Sequence, residues 1–152
     1  MSEKVKSNTL SLKLQMAALI VSVFCLNQGH TPYSNTVTLT VEIQGLDSSD
    51  GQLVVALFDD RETFLKKDFM NKVQSISNPE DFTIVWEGIP KGKYALSLFH
   101  DKNKNKELDT YWYGFPKEPF GFSNNAKGHF GPPTFDQCLF KLDENYRMVI
   151  II

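Results

Sequence analysis

Apolar and polar residues alternate along much of this chain from Thr36 onward. Between Val37 and Ile43 every second residue is apolar, and a period of two predicts a strand that buries one face. Alternation or a short apolar run predicts further strands at residues 52–58, 82–86, 94–99, 135–142 and 146–152, with a seventh near Phe120. Short strands separated by turn residues predict an all-β fold, a single β-sandwich of about seven strands.

The segments between the first strands predict how the chain turns. Residues 45–51 are rich in Gly, Asp and Ser, which predicts a turn that pairs the first two strands as a hairpin. Asp60 is a suitable N-cap for a short helix in which Phe64, Leu65 and Phe69 point inward. A polar loop is predicted after this helix.

Residues 101–134 interrupt the alternation. The segment is rich in Gly and Pro and also contains seven Phe, Tyr and Trp residues. So many aromatic side chains argue against disorder, and loops of this length in compact domains usually carry function. We therefore predict one long ordered loop that folds over an edge or an end of the sandwich.

The N-terminal segment has the pattern of an export signal. Three lysines, the last of them Lys13, precede an apolar run at residues 14–26, which is shorter than the roughly 20 residues of a stable membrane span. We predict a signal peptide at residues 1–29, a β-sandwich domain at 30–152, no stable span after signal removal, and a periplasmic or extracellular location. Lipidation at Cys25 and an uncleaved anchor are the alternatives.

Charge and cysteine content narrow the function classes. The formal net charge is −2, so no basic field would attract nucleic acid. Cys138 alternates with Phe140 and Leu142 along a predicted strand. We interpret it as a small buried apolar residue rather than a reactive thiol.

Two groups of motifs resemble known families. The turn Gly88-Ile89-Pro90-Lys91-Gly92-Lys93-Tyr94 is similar to that of transthyretin-like and carboxypeptidase-regulatory-like β-sandwiches. A longer series resembles the DUF2141 family of secreted bacterial proteins: His100-Asp101, Asn103, Asn105, Leu108-Asp109, Gly114-Phe115-Pro116-Lys117-Glu118 and Gly121-Phe122-Ser123-Asn124-Asn125. The resemblance covers residues 37–152. It implies an exported sandwich of immunoglobulin-like or transthyretin-like shape and brings no established activity with it.

Oxygen-bearing side chains occupy alternate positions just after the strand predicted at residues 94–99. They are Asp101, Asn103, Asn105, Glu107 and Asp109, and hard cations such as Ca²⁺ take oxygen ligands from tight loops with this spacing. Lys106 and Trp112 stand where a calcium loop of the EF-hand type has Gly and a bidentate Glu. The alternative is a loop in which the same side chains bond their own backbone as Asx-turns. Both a calcium site of low affinity and this metal-free loop remain open.

The aromatic residues of the long loop, residues 101–134, predict a binding surface. The candidate residues are Tyr111, Trp112, Tyr113, Phe120, Phe122, Asn124 and Asn125, which would stack carbohydrate or contact a protein partner. The alternative is a hydrophobic cluster that holds the loop down. We predict a non-catalytic binding or structural module; the other function considered is a small secreted hydrolase that uses His100 or His129 with nearby carboxylates.

Overall fold

The computed structural model describes residues 35–152, which form eight strands and two short helices. The predicted signal peptide lies outside the described residues. The strands are β1 (Thr36–Gln44), β2 (Gln52–Phe58), β3 (Met70–Ser75), β4 (Phe82–Pro90), β5 (Gly92–Asp101), β6 (Phe120–Phe122), β7 (Phe140–Leu142) and β8 (Tyr146–Ile151). A 3₁₀ turn spans Ser123–Asn125, and helix α1 spans Phe135–Cys138.

The strands are divided between two sheets. The first has the order β4-β1-β8, in which β1 is antiparallel to β4 and parallel to β8. The second has the order β3-β2-β5-β6, and β7 also pairs with β5. The predicted hairpin of the first two strands is therefore wrong, because β1 and β2 lie in different sheets. A period-two pattern specifies which face of a strand is buried and does not name its partner.

The core lies between the two sheets. Its fully buried side chains come from both layers: Leu39, Val41, Ile84 and Ile150 from the first sheet, and Leu53, Val55, Leu57 and Leu96 from the second. Two sheets that share one apolar core form a β-sandwich. The predicted all-β sandwich is confirmed, with eight strands in place of about seven.

The turn motif connects the sheets at the junction of β4 and β5. Ile89 is fully buried in the core, and the Tyr94 hydroxyl donates a hydrogen bond of 2.8 Å to the Pro90 carbonyl oxygen. A Cβ atom at Gly92 would lie 3.1 Å from the Tyr94 ring. The glycine therefore leaves room for the tyrosine to fold back over the turn.

A second, smaller apolar cluster covers the outer face of the second sheet. Its buried members are Phe58, Ala95, Phe122, Phe135 and Cys138. Cys138 is fully buried, as predicted, but it lies on α1 rather than on a strand. The Thr134 side chain and the Gln137 side chain each accept a hydrogen bond from the other residue's backbone; this capping box starts a helix where alternation alone predicted a strand.

Two local predictions for residues 60–78 are wrong. Residues 61–66 form turns rather than a helix; Phe64 packs against Phe58, while Leu65 and Phe69 are about two-fifths exposed. Part of the predicted polar loop is the edge strand β3, which pairs with β2. No residue of β3 is buried, and its two apolar residues, Met70 and Val73, lie on opposite faces of the strand, so its sequence shows no apolar alternation. Within residues 35–152 no helix is long and apolar enough to cross a membrane.

Candidate functional site

Asp101 ends β5 as a fully buried carboxylate. Its Oδ1 accepts a hydrogen bond from the Asn105 backbone N–H at 3.1 Å, and its Oδ2 accepts from the Lys106 backbone N–H at 2.8 Å. The Gln52 side-chain amide donates to the same Oδ2 at 2.7 Å. Burial raises the pKa of Asp101, but the bonds from Gln52 and from backbone N–H groups outweigh it, so the pKa lies below its ordinary value.

The next polar side chains form consecutive turns with their own backbone. Asn103 Oδ1 accepts from the Asn105 backbone N–H at 3.0 Å, and Asn105 Oδ1 accepts from that of Glu107 at 2.7 Å. The Asn103 amide also donates to Asp109 Oδ2 at 2.6 Å. The structure thus brings the side chains of Asp101, Asn103, Asn105 and Asp109 together, and Glu107 joins them through its backbone N–H rather than its side chain. The two bonds accepted by Asn103 Oδ1 and Asn105 Oδ1 have the residue spacing of Asx-turns.

Glu118 completes this loop from the opposite side. It is 7% exposed, and its Oε1 accepts from the Lys102 backbone N–H at 2.9 Å while its Oε2 accepts from that of Asp109 at 3.1 Å. One carboxylate therefore holds both ends of residues 102–109. Sequence analysis named Glu118 only in the motif series of the family resemblance, because nothing in local spacing reveals that a carboxylate from a later segment serves as an acceptor here.

His100 is buried beside this loop. Its Nε2 lies 2.6 Å from the Asp50 carbonyl oxygen, and because a carbonyl only accepts, Nε2 carries the proton. Its Nδ1 has no hydrogen-bond partner among the described residues and lies 3.5 Å from Asp47 Oδ1. Among residues 35–152 no group of His, Cys, Asp and Glu is placed to hold a metal ion.

An apolar cleft of about 920 Å³ lies over the outer face of β5 and β6, under the long loop. Its lining is mainly aliphatic and aromatic and includes Phe99, Leu108, Phe115, Phe120, Pro133 and Ile151. The side chains of Phe115 and Phe120 are 63% and 38% exposed. His129 also lines the cleft, and His100 does not. The cleft therefore brings apolar groups together with only one of the two candidate histidines, and no described Asp or Glu side chain lines it.

The structure separates the predicted binding residues into groups. Phe120, Phe122 and Asn125 line the cleft. Asn124 does not: its amide donates to the carbonyl oxygens of Gln137 and Leu139 at 3.0 Å, which fastens the 3₁₀ turn to the end of α1.

Tyr111, Trp112 and Tyr113 form an exposed tip on the long loop. The rings of Tyr111 and Tyr113 are stacked with centroids 5.3 Å apart, and Trp112 meets Tyr113 edge-on. Trp112 is 95% exposed. The Gly114 backbone N–H donates to the Tyr111 carbonyl oxygen at 2.8 Å, so the tip is a closed turn.

Comparison with known families identifies the chain. The profile of a family described as "Uncharacterized protein conserved in bacteria (DUF2141)" matches residues 41–149, well over half of the sequence. The chain belongs to the DUF2141 family. No curated protein and no solved structure matches it.

In this DUF2141 protein the matched residues include the carboxylate loop, residues 101–109, and all of the cleft lining except Ile151 and Ile152. Sequence reasoning missed several cleft residues, among them Ser97, Phe99 and Lys127. The sequence did contain a signal for two of these residues. Ser97 and Phe99 alternate with the core residues of β5, which indicates that the second face of that strand is also covered.

Proposed function

We propose that this protein is an exported, non-catalytic binding module and that its ligand site is the apolar cleft. The basic and apolar N-terminal pattern supports export. The observation that carries the binding role is the cleft itself, because about 920 Å³ with a mainly apolar lining falls within the range of sites that enclose small molecules.

The energetics of the cleft favour an apolar ligand. Phe115 and Phe120 leave apolar surface in contact with water, and each methylene group that a ligand buries there contributes about 0.8 kcal/mol. The long loop that forms one wall is held in place by Glu118. A wall that is already ordered reduces the entropy lost on binding.

A neutral fluorescent probe tests this function. N-phenyl-1-naphthylamine should bind the protein with a rise in emission, and Phe115→Ala and Phe120→Ala should each reduce its affinity severalfold. Phe130→Ala is the matched control, since Phe130 lies in the same loop, is fully exposed and does not line the cleft. Equal affinity for all four proteins, or no rise in emission with any, would contradict a ligand site in the cleft.

The aromatic tip supports a second candidate function, binding of a carbohydrate or a protein partner. A tryptophan that is 95% exposed and braced by a tyrosine offers a flat face for stacking. Trp112→Ala should abolish binding to an oligosaccharide array without changing affinity for the naphthylamine probe. Tyr146→Ala is the control, because Tyr146 is a partly exposed aromatic residue on β8, outside the tip.

Calcium binding by the carboxylate loop is a separate proposal. Asp101 already accepts three hydrogen bonds, and the oxygens of Asp109 face the amides of Asn103 and Asn105. An ion would have to replace those amides at Asp109. Lys104 and Lys106 also reduce the attraction for a cation, so the affinity expected is in the millimolar range seen for extracellular modules.

A further inference from the structure

The ionisable side chains that line the cleft are basic ones. Among the described residues that line it, the ionisable side chains are Lys127 and His129, and none is Asp or Glu. Lys127 and His129 lie in one short exposed segment at the rim. A cleft with an apolar interior and basic groups at one edge matches an amphiphile better than a wholly apolar molecule.

Lys127 is available to a ligand. Within residues 35–152 its ammonium group makes no salt bridge or hydrogen bond, whereas two other lysines of the long loop are engaged: Lys102 pairs with Asp47 at 2.6 Å, and Lys117 lies 5.4 Å from the centre of the Tyr111 ring. Among the described residues, no Asp or Glu side chain lines the cleft or pairs with Lys127.

We propose that the ligand of the cleft is a small amphiphile with an apolar body and one carboxylate head, and that Lys127 pairs with that head while His129 lies beside it. This inference rests on the proposed function and names its ligand class. One lysine matches a single negative charge. The apolar body would lie against Phe99, Phe115 and Phe120.

Three ten-carbon probes with different heads test the ligand class. Decanoate and decyltrimethylammonium, each kept below its micelle concentration, and decanol, kept below its solubility limit, should be titrated calorimetrically into the protein at neutral pH. Decanoate should bind about threefold to fivefold more tightly than decanol, which corresponds to one exposed ion pair. Decyltrimethylammonium should bind most weakly of the three.

Two lysine variants test whether Lys127 causes the preference for decanoate over decanol. Lys127→Gln should lower the affinity for decanoate to that for decanol while leaving decanol unchanged. Lys93→Gln, an exposed lysine of β5 outside the cleft, should change neither. His129→Gln should have a smaller effect in the same direction.

The outcomes separate the two proposals. Equal binding of decanoate and decanol, or an undiminished preference in Lys127→Gln, would overturn the anionic ligand and leave the apolar cleft as a binding site. Preference for decyltrimethylammonium would also overturn it. Absence of binding by all three probes would reject the proposed function as well.

Discussion

Asp101 and Glu118 are buried carboxylates that hold opposite sides of the same loop. Asp101 accepts hydrogen bonds from the backbone N–H groups of Asn105 and Lys106, and Glu118 accepts from those of Lys102 and Asp109. Four backbone donors of one short segment are thus satisfied by two side chains. Since hydrogen bonds to charged acceptors are stronger than those to neutral ones, this pair helps to hold the loop in its defined conformation.

Removing one of these carboxylates should destabilise the fold. Glu118→Gln replaces an oxygen acceptor with an amide that faces a backbone N–H, and the free energy of unfolding should fall by about 1–3 kcal/mol. Urea denaturation measures the change. Glu107→Gln is the control, because the Glu107 side chain is exposed. A Glu118 variant as stable as the Glu107 variant would show that the bridge contributes little.

Acid should weaken the protein partly through Asp101. Burial raises the pKa of this carboxyl, but its hydrogen bonds lower the pKa overall. A group whose pKa is lower folded than unfolded contributes stability above its unfolded value, about pH 4, and this is lost as the pH falls through the folded value. Asp101→Asn should therefore be less stable at pH 7 and lose less stability between pH 5 and pH 2.

A surface carboxylate provides the comparison for this pH dependence. The hydrogen bond from Lys141 lowers the pKa of Asp143, but both side chains are more than half exposed. Solvent screens such pairs, so the stability of Asp143→Asn should fall with pH almost as steeply as that of the parent protein. If Asp143→Asn reduces the loss of stability between pH 5 and pH 2 as much as Asp101→Asn does, the buried loop is not the cause of that loss.

Calcium should raise the melting temperature if the carboxylate loop binds it. Chelator-treated protein titrated to about 10 mM calcium is expected to gain a few degrees, with a smaller gain in magnesium. Asp109→Ala should remove the gain, whereas Asp143→Ala, outside the loop, should retain it. No shift at that concentration would leave the loop as a set of Asx-turns alone.

Cys138 should be unreactive in the folded protein. Burial raises the pKa of its thiol to about 11, which reduces the thiolate fraction at pH 8 by about two orders of magnitude. In a Cys25→Ala background, modification by an aromatic disulfide reagent should be slow until urea unfolds the domain. Rapid modification without urea would contradict the burial of this thiol.

Two glycines with left-handed backbone should differ in their tolerance of alanine. Gly51 has φ +79° and Gly114 has φ +85°, so each substitution costs about 1 kcal/mol of conformational strain. A Cβ atom at Gly51 would also overlap the Asp101 carbonyl oxygen, whereas one at Gly114 meets open space. Gly51→Ala should therefore lower stability by roughly 3 kcal/mol more in urea denaturation. Equal losses would show that the backbone relaxes at Gly51.

Alternation predicted the strands whose two faces have different surroundings. The β1 pattern at Val37–Ile43 and the turn motif before Tyr94 both led to elements that the structure contains. Prediction failed where local signals were weak or in conflict. Edge strand β3 lacks a buried face of its own, and the Thr134–Gln137 capping box overrode the alternation that continues to Leu142.

The candidate site was also predicted only in part from the sequence. Spacing along the chain located the carboxylate loop, because Asx-turns involve residues two apart. The aromatic residues looked like one surface, yet Phe120 lines the cleft while Trp112 stands at the tip. Their assignment depends on which strand the loop crosses, and Glu118 serves its loop only because a later segment returns beside β5.

The sequence by itself determined the all-β class, the buried faces of most strands and the turns rich in Asp and Asn, since these follow from contacts between near neighbours. Only the tertiary structure decided that β1 pairs with β4 and β8, that Asp101 and Glu118 share a loop, and that a cleft forms over β5 and β6. The physical reason is that partner choice and cavities arise from contacts between distant residues, which no local period records.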